Sequence, residues 1–188
     1  MNHRIIIATV FVAVLFTQSC TKELSNPVIP NQEELITTLK YTLISDDFSD
    51  TASFSFTDVD GPGGNNPVIV ESVLKSNTYY IGKLELLNEQ INPPEDITVE
   101  IEDEAEDHQF FFQSTINQNL NIAYNDADLN GNPIGISTLL QTKNPSSGKL
   151  TITLRHMPDK FANGVKQGNI ANAGGETDIE ITFDVEIQ

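Results

Sequence analysis

The pattern that most constrains the fold is a strict alternation of apolar and polar residues, clearest near the C-terminal end of the chain. Between residues 178 and 187, every second side chain is apolar, and acidic residues or threonine stand between them. Successive side chains of a β-strand point to opposite faces, so this period predicts a strand with one buried face and one solvated face, with Asp178 on the solvated side. The same alternation recurs in five earlier runs: 39–43, 52–56, 80–86, 120–124 and 150–154.

Shorter apolar runs add further strands to this prediction. They lie at residues 68–73, 110–112 and 136–140, and stretches rich in Gly, Pro, Asn and Ser separate them from the longer runs. Seven to nine short strands with turns between them are typical of an antiparallel sandwich. We therefore predict an all-β chain that forms an Ig-like β-sandwich.

Residues 94–107 break the alternation. Two prolines are followed by acidic residues, an order that is typical of a helix start. Apolar residues then recur at a spacing of four, at Ile97, Ile101 and Ala105. We predict a short acidic helix over about residues 94–107. A strand through Ile97, Val99 and Ile101 is the alternative.

Cys20, the single cysteine, stands behind an apolar run at residues 5–16. A charged start, a run of about a dozen apolar residues and the small Ser19 before the processing point are the order of a secretory signal peptide, and the run is shorter than the ~20 residues of a membrane span. The cysteine resembles the lipobox of bacterial lipoproteins, although Thr17 replaces the usual leucine. We predict a signal peptide at 1–19 and lipidation of Cys20. A plain signal peptide with an unrelated cysteine is the alternative.

The segment after the cysteine differs from the rest of the chain. Residues 20–34 contain prolines and asparagines with little apolar periodicity, which predicts a flexible tether between the lipid and a single domain at 35–188. Acyl chains on Cys20 would hold the protein on a membrane. We expect a lipid-anchored protein of the outer membrane, on its periplasmic or its surface side.

The charge of the chain limits its partners. The formal net charge is −17 at pH 7, and loss of Arg4 with a signal peptide would make it one unit more negative. Such a chain is repelled by nucleic acid and by anionic lipid surfaces, so we expect no nucleic-acid partner. Cations and basic protein surfaces fit this charge.

Two patterns suggest metal sites. Asp126, Asp128 and Asn130, followed by glycine, have the D-x-D-x-N-G form in which alternating oxygens converge on Ca²⁺. A turn in which Asp and Asn bond the local backbone is the alternative.

A second pattern suggests a transition metal. If residues 104–108 are helical, Glu104 and His108 share a face, and with His156 they form a candidate Zn²⁺ or Cu²⁺ site. Two surface histidines beside a solvated acidic face are the alternative.

Catalytic motifs are absent from the sequence. It contains no G-x-S-x-G, no H-E-x-x-H, no phosphate-binding loop and no G-x-G-x-x-G. We expect that the protein is not an enzyme.

Four stretches resemble a family of small acidic lipoproteins from Bacteroidota, often labelled "type 1 periplasmic binding fold superfamily protein". They lie at residues 34–39, 106–112, 150–160 and 173–180. The resemblance implies ligand capture in the cell envelope, and His108 and His156 both fall within its recurring motifs. We therefore expect a non-catalytic outer-membrane lipoprotein that binds a ligand or metal cation, as an accessory to a TonB-dependent transporter. A calcium-stabilised interaction module of the cell surface is the alternative.

Overall fold

The computed structural model describes residues 34–188, which belong to one compact unit. Eleven strands and one short helix follow one another along this part of the chain. They are β1 (Thr38–Ser45), β2 (Thr51–Thr57), β3 (Val68–Val70), β4 (Val73–Leu74), β5 (Tyr79–Asn88), β6 (Glu95–Asp96), α1 (Ile97–Asp103), β7 (His108–Ser114), β8 (Leu120–Tyr124), β9 (Ser137–Thr142), β10 (Ser146–His156) and β11 (Glu176–Ile187).

The strands form two sheets. One has seven strands in the order β3-β2-β1-β5-β9-β8, with β6 paired to β5, and the other has four in the order β4-β11-β10-β7. All pairs are antiparallel except β4 with β11. The predicted all-β sandwich is confirmed, with more strands than the seven to nine expected, because the run at 68–73 divides into β3 and β4 and because the two-residue β6 has no pattern of its own.

The core lies between the two sheets, and the alternating runs supply it. Leu39, Tyr41 and Leu43 of β1 are fully buried, as is Phe183 of β11. The rings of Phe54 and Phe183 come from different sheets and approach to 5.7 Å between centroids. Each such side chain contributes about 1.5–3 kcal/mol when it is removed from water.

Helix α1 confirms the predicted helix and excludes the strand alternative, but it is shorter than residues 94–107. Asp96 caps it, accepting the backbone N–H of Thr98 at 3.0 Å, and Ile97 and Ile101 turn inward to the core. The prolines lie before the cap, and the helix ends at Asp103, so that the chain is free to enter β7 at His108.

One edge of the larger sheet is left open among residues 34–188. β3 pairs only with β2, and its three apolar residues are all exposed. On the smaller sheet, the connection between β10 and β11 folds back over β7, where Phe111, Val165 and Ala173 form a second apolar cluster. This connection contains two 3₁₀ turns, Val165–Gln167 and Ile170–Asn172.

Candidate metal centre

A group of two histidines and two carboxylates lies at one end of the sandwich. It consists of Glu34, His108, His156 and Asp178, and one potential ligand atom from each lies within 4.8 Å of the others. All four side chains are buried, with at most 7% of any of them exposed. Buried ionisable groups of both kinds, gathered within 4.8 Å of one another, are typical of metal sites and of buried ion pairs.

Strand pairing brings the two histidines together. His108 begins β7 and His156 ends β10, and the antiparallel register places them directly opposite each other. Their rings stack with centroids 4.8 Å apart and planes 15° apart. The structure therefore brings together the two histidines that the sequence names as candidate ligands, and their binding of a metal stays a prediction.

A backbone carbonyl fixes the orientation of His108. Its Nδ1 lies 3.1 Å from the carbonyl oxygen of Glu104, and because a carbonyl only accepts, Nδ1 carries the proton. In a neutral ring, Nε2 then presents its lone pair to Oε1 of Glu34, 3.1 Å away. A histidine whose second nitrogen donates to a carbonyl is the usual arrangement for a metal ligand.

Asp178 reaches the group through a β-bulge. In the β10–β11 ladder, Leu154 pairs with Ile179 and Arg155 pairs with Thr177, so Asp178 is the extra residue. Bulges re-aim side chains. The prediction that Asp178 faces water is wrong for this reason: its side chain is fully buried, with Oδ1 4.0 Å from Nδ1 of His156.

Glu34 comes from the chain before β1. The sequence places it at the end of the predicted tether, but its side chain is only 4% exposed and lies against His108. Among residues 34–188, no hydrogen-bond donor satisfies its Oε2. A buried carboxylate oxygen without a donor costs about 1–3 kcal/mol or more, and a cation at this position would remove that cost.

The size and charge of the group suit one small divalent cation. At bond lengths of about 2.0–2.2 Å, tetrahedral ligand atoms lie about 3.4 Å apart, so the 3.1 Å pair already fits and the wider pairs would close by roughly 1 Å. Two carboxylates balance a divalent charge while both imidazoles stay neutral. Without a metal, the charge of the two carboxylates is balanced if both imidazoles are doubly protonated. The group would then consist of two buried ion pairs.

The structure corrects the predicted role of Glu104. Helix α1 ends before it, so Glu104 and His108 are not four residues apart on one helical face. Glu104 contacts His108 through its carbonyl oxygen, and its carboxylate is not part of the group. The carboxylates that replace it, Glu34 and Asp178, are remote from both histidines in sequence.

The predicted calcium loop folds as a turn. Asp126 accepts the backbone N–H groups of Gly135 and Ser137, each at 2.7 Å. Asn130 donates from Nδ2 to Oε1 of Glu106 at 3.0 Å. Because the Asp126 and Asp128 carboxylates accept backbone N–H groups of the turn itself, the geometry favours the turn over the Ca²⁺ site.

Asp128 serves a different purpose in this turn. Its Oδ1 accepts the backbone N–H groups of Asn130 and Asn132, and its Oδ2 lies 3.1 Å from Nζ of Lys160 in a buried ion pair. Burial opposes ionisation of Asp128, but the Asn132 N–H and the Lys160 ammonium outweigh it and hold the pKa of Asp128 below its ordinary value. The same burial lowers the pKa of Lys160.

Three of the sequence predictions lie outside the described residues. They are the signal peptide at 1–19, the lipidation of Cys20 and, except for Glu34, the flexible tether at 20–34. Among residues 34–188, no helix has the length and apolar character needed to span a bilayer.

The chain was compared with protein-family models, with curated proteins and with solved structures, and nothing matched in any of the three. The resemblance to envelope lipoproteins stays a prediction. The fold and the site together define the chain as a β-sandwich with a buried cluster of two histidines and two carboxylates.

Proposed function

We propose that the protein is a non-catalytic envelope lipoprotein that binds one Zn²⁺ or Cu²⁺ ion through Glu34, His108, His156 and Asp178. The observation that carries the proposal is the approach of four ligand atoms to within 4.8 Å in a buried group. The Nδ1–H of His108, held by the Glu104 carbonyl, supports it further, because it directs the Nε2 lone pair towards the group.

The donor set favours a transition metal over calcium. Ca²⁺ takes six to eight oxygen ligands, whereas imidazole nitrogen suits zinc and copper. Two imidazoles and two carboxylates complete a four-coordinate shell. This is the closed form of a structural or carrier site rather than the open form of a catalytic one, which keeps a position for water or substrate.

The place of this function in the cell is proposed from the sequence. A lipid on Cys20 would hold the domain at the outer membrane, and the predicted tether would let it reach a neighbouring protein. The strongly negative charge would attract cations to the domain. We propose that the protein passes its bound ion to a partner, a TonB-dependent transporter.

Zinc and copper titrations of the metal-free full chain in detergent test the metal site. We expect one ion per chain, and a ligand held at 100 times its dissociation constant adds about 2.7 kcal/mol to the free energy of unfolding. His108→Ala and His156→Ala should each remove this stabilisation. Asp103→Asn is the matched control, because it removes one negative charge from the exposed end of α1 and should leave binding unchanged.

Two outcomes would contradict the proposal. If neither zinc nor copper raises the melting temperature of the wild-type chain, the group is two buried ion pairs and not a metal site. If both histidine variants bind the ion as tightly as the wild type, the ion binds elsewhere, in the acidic surface of the protein.

A further inference from the structure

We propose that the metal acts as a clasp, which fastens the beginning of the domain to the opposite sheet. This inference rests on the proposed metal site and adds a consequence of its occupancy. When the ion is bound, residues 34–36 are held in place. When it is absent, they are released while the rest of the sandwich stays folded.

Three of the four ligands are fixed by one sheet. His108, His156 and Asp178 belong to β7, β10 and β11, which are neighbours in the four-stranded sheet. Backbone ladders pair His108 with His156 and hold β11 beside β10 on both sides of the Asp178 bulge, so the three strands stay together whether or not an ion is bound. Small side-chain shifts of roughly 1 Å would then bring three of the four ligands onto the ion.

The fourth ligand is attached differently. Glu34 lies four residues before the start of β1, which belongs to the seven-stranded sheet. Among residues 34–188, the first backbone N–H that donates to a backbone carbonyl is that of Thr37, which reaches Leu87 at 3.0 Å. The two residues between, Leu35 and Ile36, are held by little else: Leu35 is 52% exposed, and Ile36 is only partly buried against the core.

The ion would therefore join the two sheets at one end of the sandwich. A bond from the ion to Glu34 on one side and to the three strand ligands on the other closes a link across the core. Without the ion, the carboxylate of Glu34 lies close to that of Asp178, and like charges in a buried site repel each other. Glu34 is the ligand that can leave, because strand pairing among residues 34–188 begins only at Thr38 and does not include its backbone.

Backbone ¹⁵N relaxation of the full chain in detergent, with and without Zn²⁺, tests the clasp, because it reports the motion of amides whether or not they form a hydrogen bond. Without zinc, the order parameters of Leu35 and Ile36 should lie below about 0.6, and at saturating zinc they should rise to about 0.85. The order parameters of Ile152 and Leu154 in the central strand β10 should not change.

Two single-ligand variants separate the clasp from binding alone. Glu34→Gln and Asp178→Asn should both weaken zinc binding, since each removes one charged ligand. At saturating zinc, the order parameters of Leu35 and Ile36 should still rise in Asp178→Asn, whereas they should not rise in Glu34→Gln. The comparison of zinc-free and zinc-loaded Glu34→Gln carries the test by itself if Asp178→Asn does not fold.

The possible failures differ from one another. If the wild-type chain binds zinc with His108 and His156 but the order parameters of Leu35 and Ile36 do not change, the clasp is wrong and the metal site stands. If zinc raises these order parameters in Glu34→Gln as much as in the wild type, the clasp is also wrong. If zinc does not bind at all, both proposals fall.

Discussion

Lys160 donates from Nζ to Oδ2 of Asp128 at 3.1 Å, and both side chains are almost fully buried. The same ammonium also donates to the carbonyl oxygens of Ala105 at 2.5 Å and Pro133 at 3.1 Å. One lysine therefore holds together the chain after α1, the turn at 126–133 and the start of the β10–β11 connection. These segments surround the end of the sandwich at which His108 and His156 meet.

Removal of the lysine charge should destabilise the domain strongly. Lys160→Met leaves the Asp128 carboxylate buried without its cation, and loss of one member of a buried pair costs about 3–5 kcal/mol. Urea unfolding at pH 7 measures this cost. The control is Lys149→Met, which breaks the exposed Lys149–Asp184 pair and should change stability little. Equal effects of the two variants would show that the Lys160 pair is not buried in solution.

Acid should remove the contribution of Asp128. Its pKa in the folded protein is lowered, so its ionised form stabilises the fold fully above the unfolded value of about 3.9. This stability is lost as the pH falls through the lower folded pKa. The difference in unfolding free energy between the wild type and Asp128→Asn should therefore be largest at pH 5 and should shrink towards pH 2. A difference that is constant over this range would contradict the assignment.

The turn at Asp126 should need no calcium. Asp126→Asn weakens two charge-assisted hydrogen bonds to backbone N–H groups, and we expect a loss of about 1–3 kcal/mol in calcium-free buffer. Calcium should not raise the melting temperature of the wild type. Asp103→Asn serves again as the control for loss of one negative charge. A rise with calcium that Asp126→Asn abolishes would restore the calcium loop.

Gly82 permits the closest packing inside the larger sheet. A methyl group at this position would lie 2.6 Å from Oη of Tyr41 and in contact with Thr138, whose hydroxyl forms a buried 2.6 Å hydrogen bond with Tyr41. Gly82→Ala should therefore cost about 1–3 kcal/mol through overpacking. Gly64→Ala is the matched control, because its methyl group meets only the exposed side chain of Asp60, and water can replace the hydrogen bonds from Asn65 that Asp60 loses when it moves aside. Thermal melts of both variants measure the difference.

The strands were predictable from the sequence because a strand with one buried face has apolar residues at every second position. The run at 178–187 became the long strand β11, and the spacing of Ile97 and Ile101 marked the buried side of α1. Strand pairing was not readable in the same way, because the register depends on partners far away in the chain. The meeting of His108 and His156 was therefore a hypothesis until the β7–β10 ladder was known.

The two carboxylates of the site were missed for separate physical reasons. A one-residue bulge turns the side chain of Asp178 from the solvated face to the buried face, and the alternation of apolar and polar residues does not predict this bulge. Glu34 precedes the first strand and stands in a stretch without periodicity, where nothing indicates burial. The sequence instead favours Glu104, which lies in the acidic stretch at 95–107. Glu104 contributes only its backbone carbonyl to the site, and every residue has such a group.

β3 is an edge strand of the larger sheet, and its three exposed apolar residues carry a risk of aggregation. An exposed apolar edge strand offers its free backbone groups to a strand of another molecule. Here Pro67, which has no N–H to donate, stands immediately before the strand, and Glu71 places a charge immediately after it. An added strand would find only a short stretch of backbone between a proline and a carboxylate. These flanking residues protect the domain against joining a second copy edge to edge through β3.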